Sequence, residues 1–170
     1  MENEYIFEIL IQGNCPALVP GTWFSDGQVK LLVWDTGGLI DLYKAAAGFH
    51  MPRGQEHSLP FVLDLVRKAL FSVYTAEDWL IPDEMLDISP GGAWLDPVSD
   101  LVRFRLRENA SDPETAGSLA AQLAERICSA SGIPSAGVAA GKIKDAAASG
   151  ASVKDLISLV CSLRLLTRMI

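Results

Sequence analysis

The order of apolar and polar positions divides the chain into elements before any motif is considered. Tyr5–Ile11 is an apolar run ended by Gly13-Asn14 and reads as a strand. Ala17–Phe24 and Gln28–Trp34 flank Ser25-Asp26-Gly27, and an Asp-Gly turn between two such runs predicts a β-hairpin. After Asp35-Thr36-Gly37-Gly38, Leu39–Ala47 reads as a short helix ended by Gly48, and residues 49–57 form a polar loop. Ser58 then stands at the cap of a long helix with Pro60 in its first turn. Leu59, Val62, Val66, Ala69, Leu70 and Val73 make one stripe, which Phe61, Leu63, Leu65 and Phe71 widen, so this helix belongs at the centre of the core.

Downstream, Met85–Ile88 leads into a turn at Ser89-Pro90-Gly91-Gly92. A second hairpin follows, Ala93–Asp96 and Leu101–Arg107, joined through Pro97-Val98-Ser99-Asp100. Val102, Phe104 and Leu106 alternate with Arg103, Arg105 and Arg107, which predicts one buried and one basic face. Beyond residue 108 the chain turns rich in Ala, Ser and Leu. All four tryptophans and seven of the nine prolines lie before that point, which marks a boundary between an α+β part, 1–108, and a helical extension, 109–170, packed on it. Three helices are expected there. Ser111-Asp112-Pro113 opens the first, with Leu119, Leu123 and Ile127 on one face. Ser135 caps a second that runs to Gly150, whose alanines and glycines bury little. Ser152 and Asp155 start the third by a capping-box spacing, with Leu156, Leu159, Val160, Leu163 and Leu166 as its stripe.

Charge narrows the function classes. Fourteen Lys+Arg against 21 Asp+Glu give a net charge of −7, which argues against a nucleic-acid binder because the cations that displace phosphate counterions are lacking. No run approaches the roughly 18 apolar residues of a transmembrane helix. The acidic start, Met1-Glu2-Asn3-Glu4, is unlike the basic start of a secretory signal and points to the cytoplasm. Cys15, Cys128 and Cys161 are odd in number and far apart, so neither a disulfide framework nor a zinc site is indicated. A mean hydropathy of +0.24 is high for a soluble monomer. Two readings meet it: a core filled with alanines, or a chain that hides an apolar face against a partner or continues past Ile170.

Candidate chemistry is sparse. Leu31-Leu32-Val33-Trp34 followed by Asp35-Thr36-Gly37 has the pattern of an aspartic protease loop, which needs a second copy to pair its carboxylate. The competing reading is a strand-ending turn whose Asp35 or Thr36 caps the next helix. His50 and His57 both fall in the polar loop, with no nucleophile elbow and no third ligand at helical spacing. Phosphate-cradling glycine motifs are absent, Gly137, Gly141 and Lys142 being a small-residue helix face. Arg103, Arg105 and Arg107 are either an anion site or the wet face of a strand.

The order of Leu59–Leu106, a long apolar helix, a short loop and a tight hairpin, resembles the centre of the protein-kinase C-lobe. There the catalytic loop runs D-L-K-P-E-N-I-L-L-D. Here the run is Asp87-Ile88-Ser89-Pro90-Gly91-Gly92-Ala93-Trp94-Leu95-Asp96. The resemblance puts Asp87 at the catalytic base, Pro90 at the proline and Asp96 at the hairpin aspartate. Ser89 replaces the lysine, Gly92 the metal-ligating asparagine, Met85-Leu86 the His-Arg pair, and Leu106-Arg107-Glu108 the D-F-G triplet, with no Gly-rich loop upstream. It therefore implies a kinase-like fold without phosphotransfer.

Residues 17–107 with the helical tail also resemble an uncharacterised bacterial domain family found N-terminal to forkhead-associated (FHA) domains. Ala17-Leu18-Val19-Pro20, Trp34-Asp35-Thr36, Leu39–Tyr43 and Leu80-Ile81-Pro82-Asp83 carry that likeness. It implies a signalling or secretion adaptor whose partner is another chain or a following domain, such as an FHA domain or a membrane-anchoring segment. The combined expectation is an α+β, cofactor-free and metal-free cytoplasmic interaction module, with oligomers open and no nucleic acid. Its alternative is a hydrolase using Asp35.

Overall fold

A computed structural model of the protein describes residues 8–9, 12–13, 15–27, 30–51, 53–107 and 115–167. The first apolar run departs from expectation. Glu8, Ile9 and Gln12 are helical rather than extended, Gly13 N–H donates to Ile9 O at 3.1 Å, and Ile9 is buried. The rest of the expected strand, 5–7 and 10–11, lies outside the described residues. A short apolar run fits either period, and here the buried side of a helical turn wins.

Strands β1 (Gly21–Ser25) and β2 (Lys30–Trp34) form the first hairpin, with Gly21 opposite Trp34 and Ser25 opposite Lys30. Gly27 takes the turn's left-handed geometry at φ +92°. The strand expected from Ala17 begins only at Gly21. Ala17–Val19 instead runs parallel to a later strand, Val19 N–H donating to Phe104 O at 2.9 Å and Phe104 N–H to Ala17 O at 2.8 Å. That edge is where these buried residues find both apolar contacts and backbone partners.

The run from Leu39 to Ala47 splits into β3 (Ile40–Asp41) and helix α1 (Leu42–Ala46). Asp41 Oδ1 accepts the Tyr43 and Lys44 N–H groups at 3.0 Å each, which turns strand into helix within one residue. Helix α2 (Leu59–Asp78) follows with Pro60 in its first turn. Ser58 occupies the cap position, but its side chain makes no capping bond. Val62, Val66, Ala69, Leu70 and Val73 are completely buried. Phe71 is not in the core: it is 45% exposed, because one residue past Leu70 the helix has turned about 100° off the stripe.

A 3₁₀ turn (Asp83–Met85) leads into β4 (Leu86–Asp87), β5 (Ala93–Asp96) and β6 (Leu101–Leu106). The second sheet has the order β3-β5-β6-β4, all antiparallel. As the alternation predicts, Val102, Phe104 and Leu106 are buried and α2 packs against β6.

Helices α3 (Ala116–Ser131), α4 (Pro134–Ala148) and α5 (Val153–Thr167) complete the fold, an α+β arrangement of small sheets, central helix and three-helix region. Thr115 caps α3 through a bond from Ser118 N–H, and the expected opener Ser111-Asp112-Pro113 lies outside the described residues. Ser135 does not cap α4: it sits in the first turn behind Pro134, while Ser131 Oγ takes the Ile133 N–H at 3.1 Å. Although rich in small residues, α4 buries Ala136, Ala139, Ala140 and Ile143, and it packs closely on α3. The α5 capping box forms as the spacing predicts, with Asp155 N–H donating to Ser152 Oγ and Ser152 N–H to Asp155 Oδ2. Leu156 and Val160 are buried, whereas Leu166, expected in the same stripe, is 59% exposed. Both α3 and α5 lie on α2, so one apolar cluster runs from Ile9 to Val160 across the two halves of the chain. Among the described residues no helix is long and apolar enough to cross a membrane.

Candidate functional site

The loop between β4 and β5 holds Asp87, Ser89 and Gly92 together. Asp87 Oδ1 accepts the Ser89 N–H at 3.0 Å and the Ser89 hydroxyl at 2.5 Å. Asp87 Oδ2 pairs with Arg105 Nη2 at 3.3 Å from the facing strand. Burial of the carboxyl opposes its ionisation, but the two Ser89 bonds and the Arg105 guanidinium more than offset this and hold it below the usual carboxylate range. Gly92 closes the loop over it: Gly92 N–H donates to Ser89 O at 2.9 Å, and Arg105 N–H to Gly92 O at 2.8 Å. Gly91 supplies the turn at φ +78°.

Several groups outside the motif fasten this loop. Asp41, whose Oδ1 caps α1, uses its Oδ2 to accept the Gly91 N–H at 3.1 Å. Both the Tyr43 hydroxyl and Arg126 Nη1 donate to Ile88 O, the latter at 3.3 Å. Trp94 Nε1–H donates to Gly91 O at 3.1 Å. Burial pushes the Tyr43 phenol up to about 12, which keeps it a neutral donor. Sequence reasoning missed these fastenings. Only Asp41 carried a signal, as an Asx residue immediately before a helix.

Two cavities open on either side of Pro90. One of about 510 Å³ lies between Tyr43, Arg126, Gln122 and Ser129, and one of about 630 Å³ between Asp41, Lys44, His50 and Trp94. Neither is lined by Asp87.

Of the other singled-out residues, Arg105 meets this loop at Asp87 and His50 lines the cavity beside Pro90. Asp35 is exposed beyond the end of β2, its Oδ1 accepting the Gly37 N–H at 3.0 Å in a turn. His57 Nε2 lies 2.9 Å from Ala46 O and, since a carbonyl only accepts, donates to it, tying the loop to the end of α1. Two of the three arginines, Arg103 and Arg105, are engaged with acids of their own sheet rather than presented as an anion site. Arg103 pairs with Asp96 at 3.0 Å and donates to Leu18 O, while Arg105 pairs with Asp87. Burial opposes ionisation of Asp96, but bonds from Ser99 and Val98 and the Arg103 guanidinium outweigh it and bring the carboxyl down to about 2. Cys15, Cys128 and Cys161 are free thiols, and burial pushes Cys128 up to about 11, away from the thiolate. Among the described residues no three His, Cys, Asp or Glu side chains gather as a metal site.

The kinases that this loop resembles work on a magnesium-bound nucleotide, and position 92 does not fit that group's metal-ligating asparagine. At position 92, where that pattern needs a metal-ligating asparagine, a Cβ would lie 2.3 Å from Asp87 Cγ. A side chain there would force the Asp87 carboxyl and backbone to shift. Compared with known protein families, curated proteins and solved structures, the chain matches none.

Proposed function

We propose that this chain is a non-catalytic interaction or regulatory module of bacterial signalling or secretion, in which a kinase-like catalytic loop has become a structural clasp. The observation that carries this reading is the state of Asp87. One carboxylate oxygen is taken by Ser89, the other by Arg105, and Gly92 lies against its face. A general base needs a free, correctly placed oxygen facing its substrate. Here the two oxygens tie β4 to its following loop and to β6 instead. A protein partner, in another chain or a following domain such as an FHA domain, rests on the second sequence resemblance described above.

The test is a thermal-shift titration of the chain with ATP, with and without Mg²⁺ or Mn²⁺. A ligand that binds the native state raises its melting temperature by mass action. The expected result is no metal-dependent rise. A rise of several degrees at saturating nucleotide, or phosphate transfer that Asp87→Ala abolishes, overturns the reading.

A further inference from the structure

The cavity of about 630 Å³ beside Pro90 has the size of a small-ligand site, and its walls are fixed from behind. Its floor is the outer face of the second sheet. Trp94 stands between the buried Ala93 and Leu95 on β5, so its ring faces outward, directly across from Asp41 on β3. The bond from Trp94 Nε1–H to Gly91 O at 3.1 Å holds the indole in one orientation. Both carboxylate oxygens of Asp41 are engaged with backbone, Oδ1 by the Tyr43 and Lys44 N–H groups and Oδ2 by the Gly91 N–H.

The other wall comes from the end of α1. Gly48 N–H donates to Ala45 O at 3.0 Å and Phe49 N–H to Lys44 O at 2.8 Å, with Gly48 left-handed at φ +86°. In this glycine helix stop the chain doubles back on the last turn, which returns His50 to the cavity that Lys44 lines. His50 is itself left-handed at φ +52°, a strained conformation for a side chain and one that collects at ligand clamps. Among the described residues neither the Lys44 ammonium nor the His50 imidazole has a hydrogen-bond or ion-pair partner.

We propose that this cavity binds a small aromatic carboxylate, its ring against Trp94 and its carboxylate between Lys44 and His50. The unengaged side-chain groups of the lining are donors, since an ammonium has no acceptor and an imidazole offers an N–H. They call for an acceptor. The size of its charge follows from Asp41, the one acid among the described lining residues. With Asp41 set against Lys44, a protonated His50 leaves a single positive charge to match, that of a carboxylate and not of a phosphate ester. The fixed indole face selects a flat ring, which stacks offset upon it. Asp87 does not line this cavity, so the site stands apart from the loop.

The experiment is isothermal titration calorimetry of the intact chain with β-naphthoate, while the tryptophan indole N–H signals are followed by NMR. Three controls accompany it. β-Naphthamide keeps the ring without the charge, β-naphthyl phosphate doubles the charge, and decalin carboxylate keeps the charge without a flat ring. β-Naphthoate should saturate with Kd below about 1 mM and bind at least about fivefold tighter than each control. The Trp94 N–H signal, assigned through Trp94→Phe, should move with the same Kd. Lys44→Gln and His50→Gly should each weaken binding at least about threefold. Both positions are exposed and glycine relieves the left-handed strain, so these variants keep the fold. Absence of saturable binding, or binding that leaves the Trp94 signal or both variants unaffected, overturns the site. Equal or tighter binding of the amide, the phosphate or the decalin overturns the anion, its single charge or the ring, respectively. The nucleotide titration is read independently, so failure here and failure of the non-catalytic reading are distinguishable.

Discussion

Asp87 and Gly92 compete for one volume. A Cβ on residue 92 would sit 2.3 Å from Asp87 Cγ and 2.5 Å from the Asp87 carbonyl oxygen, and a contact with backbone cannot be relieved by a rotamer change. The glycine is thus required by space, and its Ser89 and Arg105 backbone bonds hold the loop closed at that distance.

Gly92→Ala should destabilise the fold by about 1–3 kcal/mol, the usual range for overpacking a filled site. The urea midpoint measures this. The prediction fails if the variant unfolds at the same midpoint as the parent, since β4 and β5 would then have room the geometry denies.

Asp64 joins three cations from two helices. Its carboxylate lies 3.0 Å from Arg67 and 2.8 Å from Lys68 on α2, and 2.7 Å from Arg164 on α5. Lys68 is buried and reaches Asp100 at 2.6 Å, tying in the β5–β6 turn. Asp64→Asn leaves these cations under-compensated and should cost about 3 kcal/mol, the scale of breaking a buried pair from one side. Burial disfavours the charge on Asp64, but Lys68 and Arg67 outweigh it and lower its pKa. A depressed folded-state pKa gives stability that is present above the unfolded value and lost as pH falls through the folded one. Parent and variant should therefore converge in acid, in matched urea melts.

Leu80 ends α2 in a left-handed conformation at φ +56°, with Ile81 N–H bonded to Ala76 O and Leu80 N–H to Glu77 O. That is the helix stop normally made with glycine, and a side chain there costs roughly 1–2 kcal/mol of backbone strain. Leu80 is also 76% exposed, so its removal loses little packing. Leu80→Gly should raise stability by about 0.5–1 kcal/mol, a gain of a few degrees in melting temperature. An unchanged or lower value would mean that the leucine makes up for its strain elsewhere.

What the sequence could reveal followed from how local the responsible physics was. The α2 stripe, the β5–β6 alternation and the Ser152–Asp155 box are set by neighbours within one turn or one pleat, and each appears in the structure at its expected place. Ile9, Ala17 and Phe71 were misplaced because burial there depends on which distant surface the segment meets. The loop at Asp87 was visible as a motif. Its fastenings were not, since Asp41 lies 50 residues from Gly91 and Arg126 lies 38 from Ile88, separations that no spacing rule covers.

Asp83 runs opposite to the other shifted acids in the sheet region. Burial first, then the charges of Glu77 and Glu84, raise its carboxyl from 3.8 to about 6, and its Oδ1 is buried without a hydrogen-bond partner. A folded-state pKa above the unfolded one means that the native chain holds the proton more tightly. Its ionisation therefore costs no stability below the unfolded value. The cost accumulates as pH rises between the two and is complete above about 6. Asp83→Asn removes the charge while keeping the shape, so it should match the parent in acid and exceed it by about 1 kcal/mol at neutral pH, once solvent screening of this partly exposed group is allowed for. Urea melts of both proteins at about pH 4 and about pH 7.5 decide it. A variant less stable than the parent at the higher pH would show that the ionised Asp83 has a cationic or hydrogen-bonding partner, contrary to this electrostatic balance.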